Sequence, residues 1–213
     1  MGIEVSGVDQ QALAEIHAAF GRQLADPGGA PSALAALFDE LGPDMRAALV
    51  RRLGRGEQRD LYRKVEGSAP LSLVDLVPPN RAEQEEVRHL GLNTLPAFRV
   101  FEKRFARPPG EDPAKPTRLS GYNYQTMSPV TGPGYFEAVD DEDRAEVLVD
   151  YTRLPATVPP GWPAIRSNER GLARFVYGFM VDRLRRVSEH VTIGSASRKG
   201  RDLGSYFALT RAD

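Results

Sequence analysis

Leu-Ser-Gly-Tyr-Asn-Tyr-Gln (119–125), Thr-Gly-Pro-Gly-Tyr-Phe (131–136) and Val-Leu-Val-Asp-Tyr-Thr (147–152) follow one another along the chain, and their reading decides the fold. From Leu119 the period is two. Ser120, Tyr122, Tyr124 and Thr126 fall on one side; Leu119, Gly121, Asn123, Gln125 and Met127 fall on the other. That is the alternation of a pleated strand. Two tyrosines on one face and two amides on the opposite one predict that neither side simply meets water, and buried amides need hydrogen-bond partners. Asn123 and Gln125 are therefore candidates for orienting a polar part of a ligand inside a curled sheet. Bonding to backbone at a barrel rim is the other reading. Residues 135–139 and 146–152 form a hairpin around the acidic tip Asp140, Asp141, Glu142 and Asp143, whose spacing does not match a calcium loop. On its second strand Val147, Val149 and Tyr151 face one way, and Glu146, Leu148, Asp150 and Thr152 the other. Asp150 is a candidate pocket carboxylate, or else a partner of Arg153.

Towards the C-terminus, the proline-rich segment 154–165 holds the only tryptophan, Trp162, and reads as a cover over the sheet edge. Leu172, Phe175, Val176, Phe179, Met180, Leu184 and Val187 then recur at helical spacing. They predict one amphipathic helix over 172–187, capped by Asn168. A last hairpin, 191–197 with 205–210, carries Arg198, Lys199 and Arg201 at its tip. About five strands are expected in all.

Towards the N-terminus the period is 3.6. Val8, Leu13, Ile16, Phe20 and Leu24 follow Asp9 as a cap; Leu34, Leu37, Phe38 and Leu41 form a second stripe; Met45, Leu49, Val50 and Leu53 form a third; Leu61, Tyr62 and Val65 mark a shorter one. Helices this short and narrow-faced must pack on each other or on the sheet. Leu71 to Leu76 suggests one helical turn. Asn80-x-x-Glu83 has capping-box form for a helix ending near His89. Phe98, Phe101 and Phe105 share one face of a further helix starting at Leu95. They make either a core stripe or the lining of a ligand cavity with Lys103 and Arg104 at its mouth. The division expected is a helical region, 1–79, followed by an α+β domain, 80–213.

The composition narrows the chemistry. A net charge of −1 and a pI of 6.3 leave no global basic field for nucleic acid. The absence of cysteine removes disulfides, thiolate nucleophiles and cysteine-bound metals. No apolar run reaches the roughly 18–20 residues of a membrane span, and no leader is apparent, so a soluble cytoplasmic protein is expected. Gly132 to Gly134 is no phosphate loop, because the lysine is missing and Pro133 lacks an N–H. No cofactor or metal is expected. His17, His89 and His190 stand far apart, and neither His-x-x-x-His nor Gly-x-Ser-x-Gly occurs.

Val149-Asp150-Tyr151, Asp182-x-Leu184-Arg185-x-Val187, Thr192-Ile193-Gly194 and Tyr206-Phe207-Ala208-Leu209 resemble the endings of small bacterial lipocalin-like (calycin) proteins, in particular the GXWXG-type domain family. The likeness covers about the last 95 residues. The chain departs from that family in having no Gly-x-Trp-x-Gly. The resemblance implies a curled antiparallel sheet holding a small apolar molecule, and implies no reaction.

The fold class read from all this is α+β: a curled antiparallel sheet, lipocalin-like and partly open, with one packed helix, preceded by an α-helical region. The leading function is binding of a small, mostly apolar ligand between sheet and helix, oriented by Tyr122, Asn123, Tyr124, Gln125 and Tyr135. The second is an enzyme of isomerase, cyclase or hydrolase type in the same cavity, with Asp150 or His190 as acid or base. A buried titratable group with a hydrogen-bonded partner in a concave site would favour it. The third is a protein–protein module, which requires an exposed apolar patch between Leu34 and Val65. The oligomeric state is open.

Overall fold

A computed structural model describes residues 7–97, 99–125, 132–171 and 173–212. Expectations for Phe98, Thr126, Met127, Thr131 and Leu172 fall outside the described residues. Eight strands are present among them: β1 Val87–Asn93, β2 Val100–Ala106, β3 Leu119–Tyr124, β4 Tyr135–Asp141, β5 Glu146–Asp150, β6 Met180–Arg186, β7 Val191–Arg198 and β8 Arg201–Arg211. Each is antiparallel to the next, and β8 pairs back onto β1, so the sheet closes into a barrel. A closed eight-stranded meander with flanking helices has the general lipocalin-like (calycin) architecture.

The meander 119–152 and the final hairpin are strands as expected, and the sheet curls to full closure. Three expected helices are corrected. Residues 87–93 and 100–106, read as helix ends, are β1 and β2. The helix over 172–187 shrinks to one packed turn, α6 Ala173–Val176, whose Ala173 and Val176 lie against the barrel core. Phe179 then takes a left-handed φ of +59°, which no helix can continue through, and the chain leaves as β6. Together these raise the five expected strands to eight.

Inward-facing residues alternate around the wall: Phe101 and Phe105 on β2, Leu119 on β3, Phe136 and Ala138 on β4, Val147 and Val149 on β5, Leu184 on β6, Phe207 and Leu209 on β8. One end of the barrel is corked by α5 Leu73–Leu76, whose Leu73 and Leu76 join that same core together with Leu71 and Val77. Polar groups of the wall hold the cork in place. Asp140 accepts from Leu73 N at 2.9 Å, His89 Nε2 bonds Leu76 O at 3.0 Å, and Arg211 donates to Asp75 O at 2.8 Å.

The N-terminal helices α1 Gln10–Ala25, α2 Pro31–Asp39, α3 Pro43–Arg52 and α4 Arg55–Lys64 lie on the outside of the barrel. Asp9 caps α1, accepting from Gln11 N and Ala12 N. Their apolar faces and the outward residues Val191, Ile193, Tyr206 and Ala208 form a second core. Arg185, on the outer face of β6, ties α4 down by stacking over Tyr62 at 3.9 Å and donating to Tyr62 O at 2.8 Å. Leu34, Phe38, Leu49, Val50, Leu53, Leu61 and Val65 are all buried there. The exposed apolar patch required by an interaction module is therefore absent from this stretch.

Candidate functional site

The end of the barrel opposite the cork holds a cavity of 340 Å³. Phe101, Tyr151, Met180 and Phe207 supply much of its apolar wall; Val176 and Tyr177, from α6 and the turn after it, stand at its side; Leu95 and Leu203 stand near its rim. Asn93, Gln125, Arg198 and Ser205 add polar groups, and Lys103, Asn123 and Asp182 converge below.

Strand geometry explains that convergence. Lys103 is the inward residue between Phe101 and Phe105 on β2, directly across from Asn123 on β3. Asp182 is the inward residue between Met180 and Leu184 on β6. Strands β2 and β6 lie four places apart in a ring of eight, so the two charges come from opposite walls and meet inside. Lys103 Nζ lies 2.9 Å from Asp182 Oδ2, with both side chains almost fully buried. Lys103 also donates to Asn123 Oδ1 at 3.2 Å and to the Tyr151 hydroxyl. Tyr151 in turn donates to Asp182 Oδ2 at 3.2 Å and accepts from Asn123 Nδ2 at 2.7 Å. Aromatic faces surround the ammonium, with the rings of Phe136, Tyr151 and Phe207 centred 4.9–5.0 Å from Nζ. Such contacts favour a cation in place.

The ionisation balance follows from the burial. Loss of water pulls Lys103 below the ordinary lysine pKa, and the Asp182 carboxylate opposes that pull. Burial, reinforced by Asp182, holds the Tyr151 hydroxyl well above its ordinary value, so Tyr151 keeps its proton at neutral pH. The Tyr151 ring stacks on Tyr177 at 5.5 Å, and Gln125 Nε2 donates to the Tyr177 hydroxyl at 2.6 Å. Asn168, expected as a helix cap, instead donates to Tyr135 O and Tyr151 O, and so fastens the segment after β5 to the wall.

Of the residues singled out from the sequence, Asn123 and Gln125 line this cavity. Tyr122, Tyr124 and Tyr135 lie on the opposite face. Tyr122 and Tyr135 pack there with Trp162, at 4.7 and 6.3 Å, and Arg104 covers Tyr124 at 4.1 Å. Trp162 is thus the ring of a cover, as expected. Asp150 is bound to Thr152 and Arg153 outside the cavity. His190 stands next to Arg211, between β6 and β7. Lys103 lies inside the cavity rather than at its mouth, and Arg104 is outside, paired with Glu86 and Glu102.

Asp182, Tyr151 and Phe207 also line the cavity, and the sequence pattern does not single them out as ligand contacts. One signal in the sequence was available. Of 28 Lys and Arg residues only four are lysine, namely Lys64, Lys103, Lys115 and Lys199, and Lys103 alone is flanked at two-residue spacing by phenylalanines.

A wider groove of 660 Å³ lies at the corked end, but its charges are engaged within the chain, as in Arg186 with Asp75 at 3.1 Å and Arg81 with Glu85 at 2.9 Å. Among the described residues no three His, Asp or Glu side chains converge as a metal site would require, and no helix is long and apolar enough to cross a membrane. No protein-family model matches the chain, and comparison with curated proteins and with solved structures gave no match.

Proposed function

We propose that the protein binds a small, mostly apolar molecule in the open end of its barrel. One observation carries this reading. The barrel is sealed at one end by α5 and hollow at the other, and the hollow has aromatic and aliphatic walls over a compact polar floor. Ligand sites are typically concave, chiefly apolar and furnished with a few fixed polar groups, and 340 Å³ falls at the small end of that range. Asn123 and Gln125 are retained as orienting residues, joined by Lys103, Tyr151 and Asp182. Residues 80–213 carry the site, and 1–79 supply its buttress and its cork. The GXWXG-type resemblance of the chain's ending points to the same class of guest. A cytoplasmic setting, suggested by the lack of cysteine, belongs to the same proposal.

Native mass spectrometry of the protein as purified, with thermal-shift measurements across a panel of small lipophiles, tests the reading. Retained mass or a rise in melting temperature that saturates with ligand is expected, because a ligand of the native state stabilises by mass action. No bound mass and no shift across the panel would overturn it.

The Lys103–Tyr151–Asp182 chain favours one second reading, an enzyme that moves a proton at the cavity floor. In that case Tyr151→Phe abolishes turnover of a bound substrate while leaving its affinity within about threefold. A bound ligand that the wild-type protein leaves chemically unchanged speaks for binding alone.

A further inference from the structure

The hydrogen bonds of the cavity floor are unevenly satisfied. Lys103 Nζ has three acceptors, Asn123 Oδ1, the Tyr151 hydroxyl and Asp182 Oδ2, which is the full complement of an ammonium group. Tyr151 receives two bonds and gives one. Asp182 Oδ2 is thereby engaged twice, whereas Asp182 Oδ1, equally buried, has no partner. A buried carboxylate oxygen without a donor is costly, and this one belongs to a residue that lines the cavity.

At the floor one ammonium faces one carboxylate, and the Arg198 guanidinium on the wall donates to Val176 O at 3.1 Å. A guest with its own carboxylate would bring a second negative charge towards Asp182 while Lys103 has no donor left. A guest with an ammonium would have to shed its water to join a cavity that already holds the cations Lys103 and Arg198. A guest offering only acceptors would leave Asp182 Oδ1 as it is. What the floor lacks is a neutral donor, and an O–H to a carboxylate is a short, strong hydrogen bond.

We infer that the guest is an uncharged alcohol or phenol whose O–H donates to Asp182 Oδ1, with its apolar body between Phe101, Tyr177, Met180 and Phe207. This deepens the proposed function and rests on it.

Calorimetric titration with octanol, methyl octyl ether, octanoate and octylamine, four probes of one chain length, tests the inference. Octanol is expected to bind about tenfold or more tightly than each of the others, the usual scale for a hydrogen bond to a charged partner. In Lys103→Met/Asp182→Leu, where the floor is apolar, the octanol-to-ether ratio is expected to fall to about one while both still bind. Equal binding of octanol and ether to the wild-type protein overturns the assignment of the headgroup and leaves the binding function standing. Preference for octanoate or octylamine overturns the neutrality of the guest. Binding of none of the four overturns the inference and the underlying function together. The wild-type comparison decides the matter even where the double variant fails to fold.

Discussion

Lys103 and Asp182 act as a strut across the barrel, and the two partners are not interchangeable in what their loss does. Removing one member of a buried ion pair strands the other charge without water, which costs far more than removing both. Lys103→Met is therefore expected to destabilise the fold by about 3–5 kcal/mol, because Asp182 stays behind with Tyr151 as its remaining donor. Lys103→Met/Asp182→Leu is expected to recover most of that loss, and urea unfolding of the two variants beside the wild type measures it. A double variant no more stable than the single one would mean that the pair is held by packing rather than by charge. A different ion pair contributes on the acid side. The Arg183 guanidinium hydrogen-bonds Asp141 and holds its carboxyl below the ordinary value of 3.8. Below 3.8 the unfolded chain takes up this proton before the folded one does, so the stability from the pair is present above that pH and drains away as the pH falls towards the folded value. The melting-temperature gap between wild type and Asp141→Asn should thus be open at neutral pH and narrow steadily below about pH 4.

At the scale of elements, the same inward charges that build the floor hid two strands from a reading of the sequence. On β2, Phe101 and Phe105 flank Lys103; on β6, Met180 and Leu184 flank Asp182. In each case a charge occupies the middle inward position, so the apolar residues left visible are four apart, the spacing of a helix. β3 and β5 carry no such charge and were legible as strands. The N-terminal stripes were legible because each helix has one buried face, and the turn near Leu71 was legible for the same reason. Their role as cork and buttress was not, since it depends on which wall they meet. Asn123 and Gln125 could be found because an amide facing inward breaks a local expectation. Asp182 could not, because its partners Tyr151 and Lys103 lie 31 and 79 residues away in the chain. Close approach within the wall adds a further constraint at Gly121. A Cβ there would stand 2.7 Å from Arg104 O and run into the Phe136 ring. Gly121→Ala should cost about 1–3 kcal/mol by overpacking. Leu76→Ala, which hollows the cork instead, should cost about 2–5 kcal/mol. Chemical denaturation separates both from wild type, and a neutral Gly121→Ala would mean that β2 and β3 can move apart freely.

At the scale of the molecule, β7 and β8 belong to two cores at once. Their inward residues Gly194 and Phe207 pack inside the barrel, while Ile193 and Ala208, one position away, pack beneath the helices. Neither core can loosen without moving the shared strands, so the helical front and the barrel should lose structure together. The full chain is then expected to unfold in one thermal transition, with calorimetric and van't Hoff enthalpies equal, the mark of two-state behaviour. Deleting residues 1–64 while keeping the cork should leave Val187, Val191, Ile193 and Tyr206 facing water. A continuous apolar patch of that kind drives association, so the shortened chain should aggregate or lose its cooperative transition. Two separate transitions in the full chain, or a shortened chain that stays monomeric and still melts sharply, would mean that the barrel stands alone. The ligand cavity would then be a property of the strands rather than of the helices that brace them.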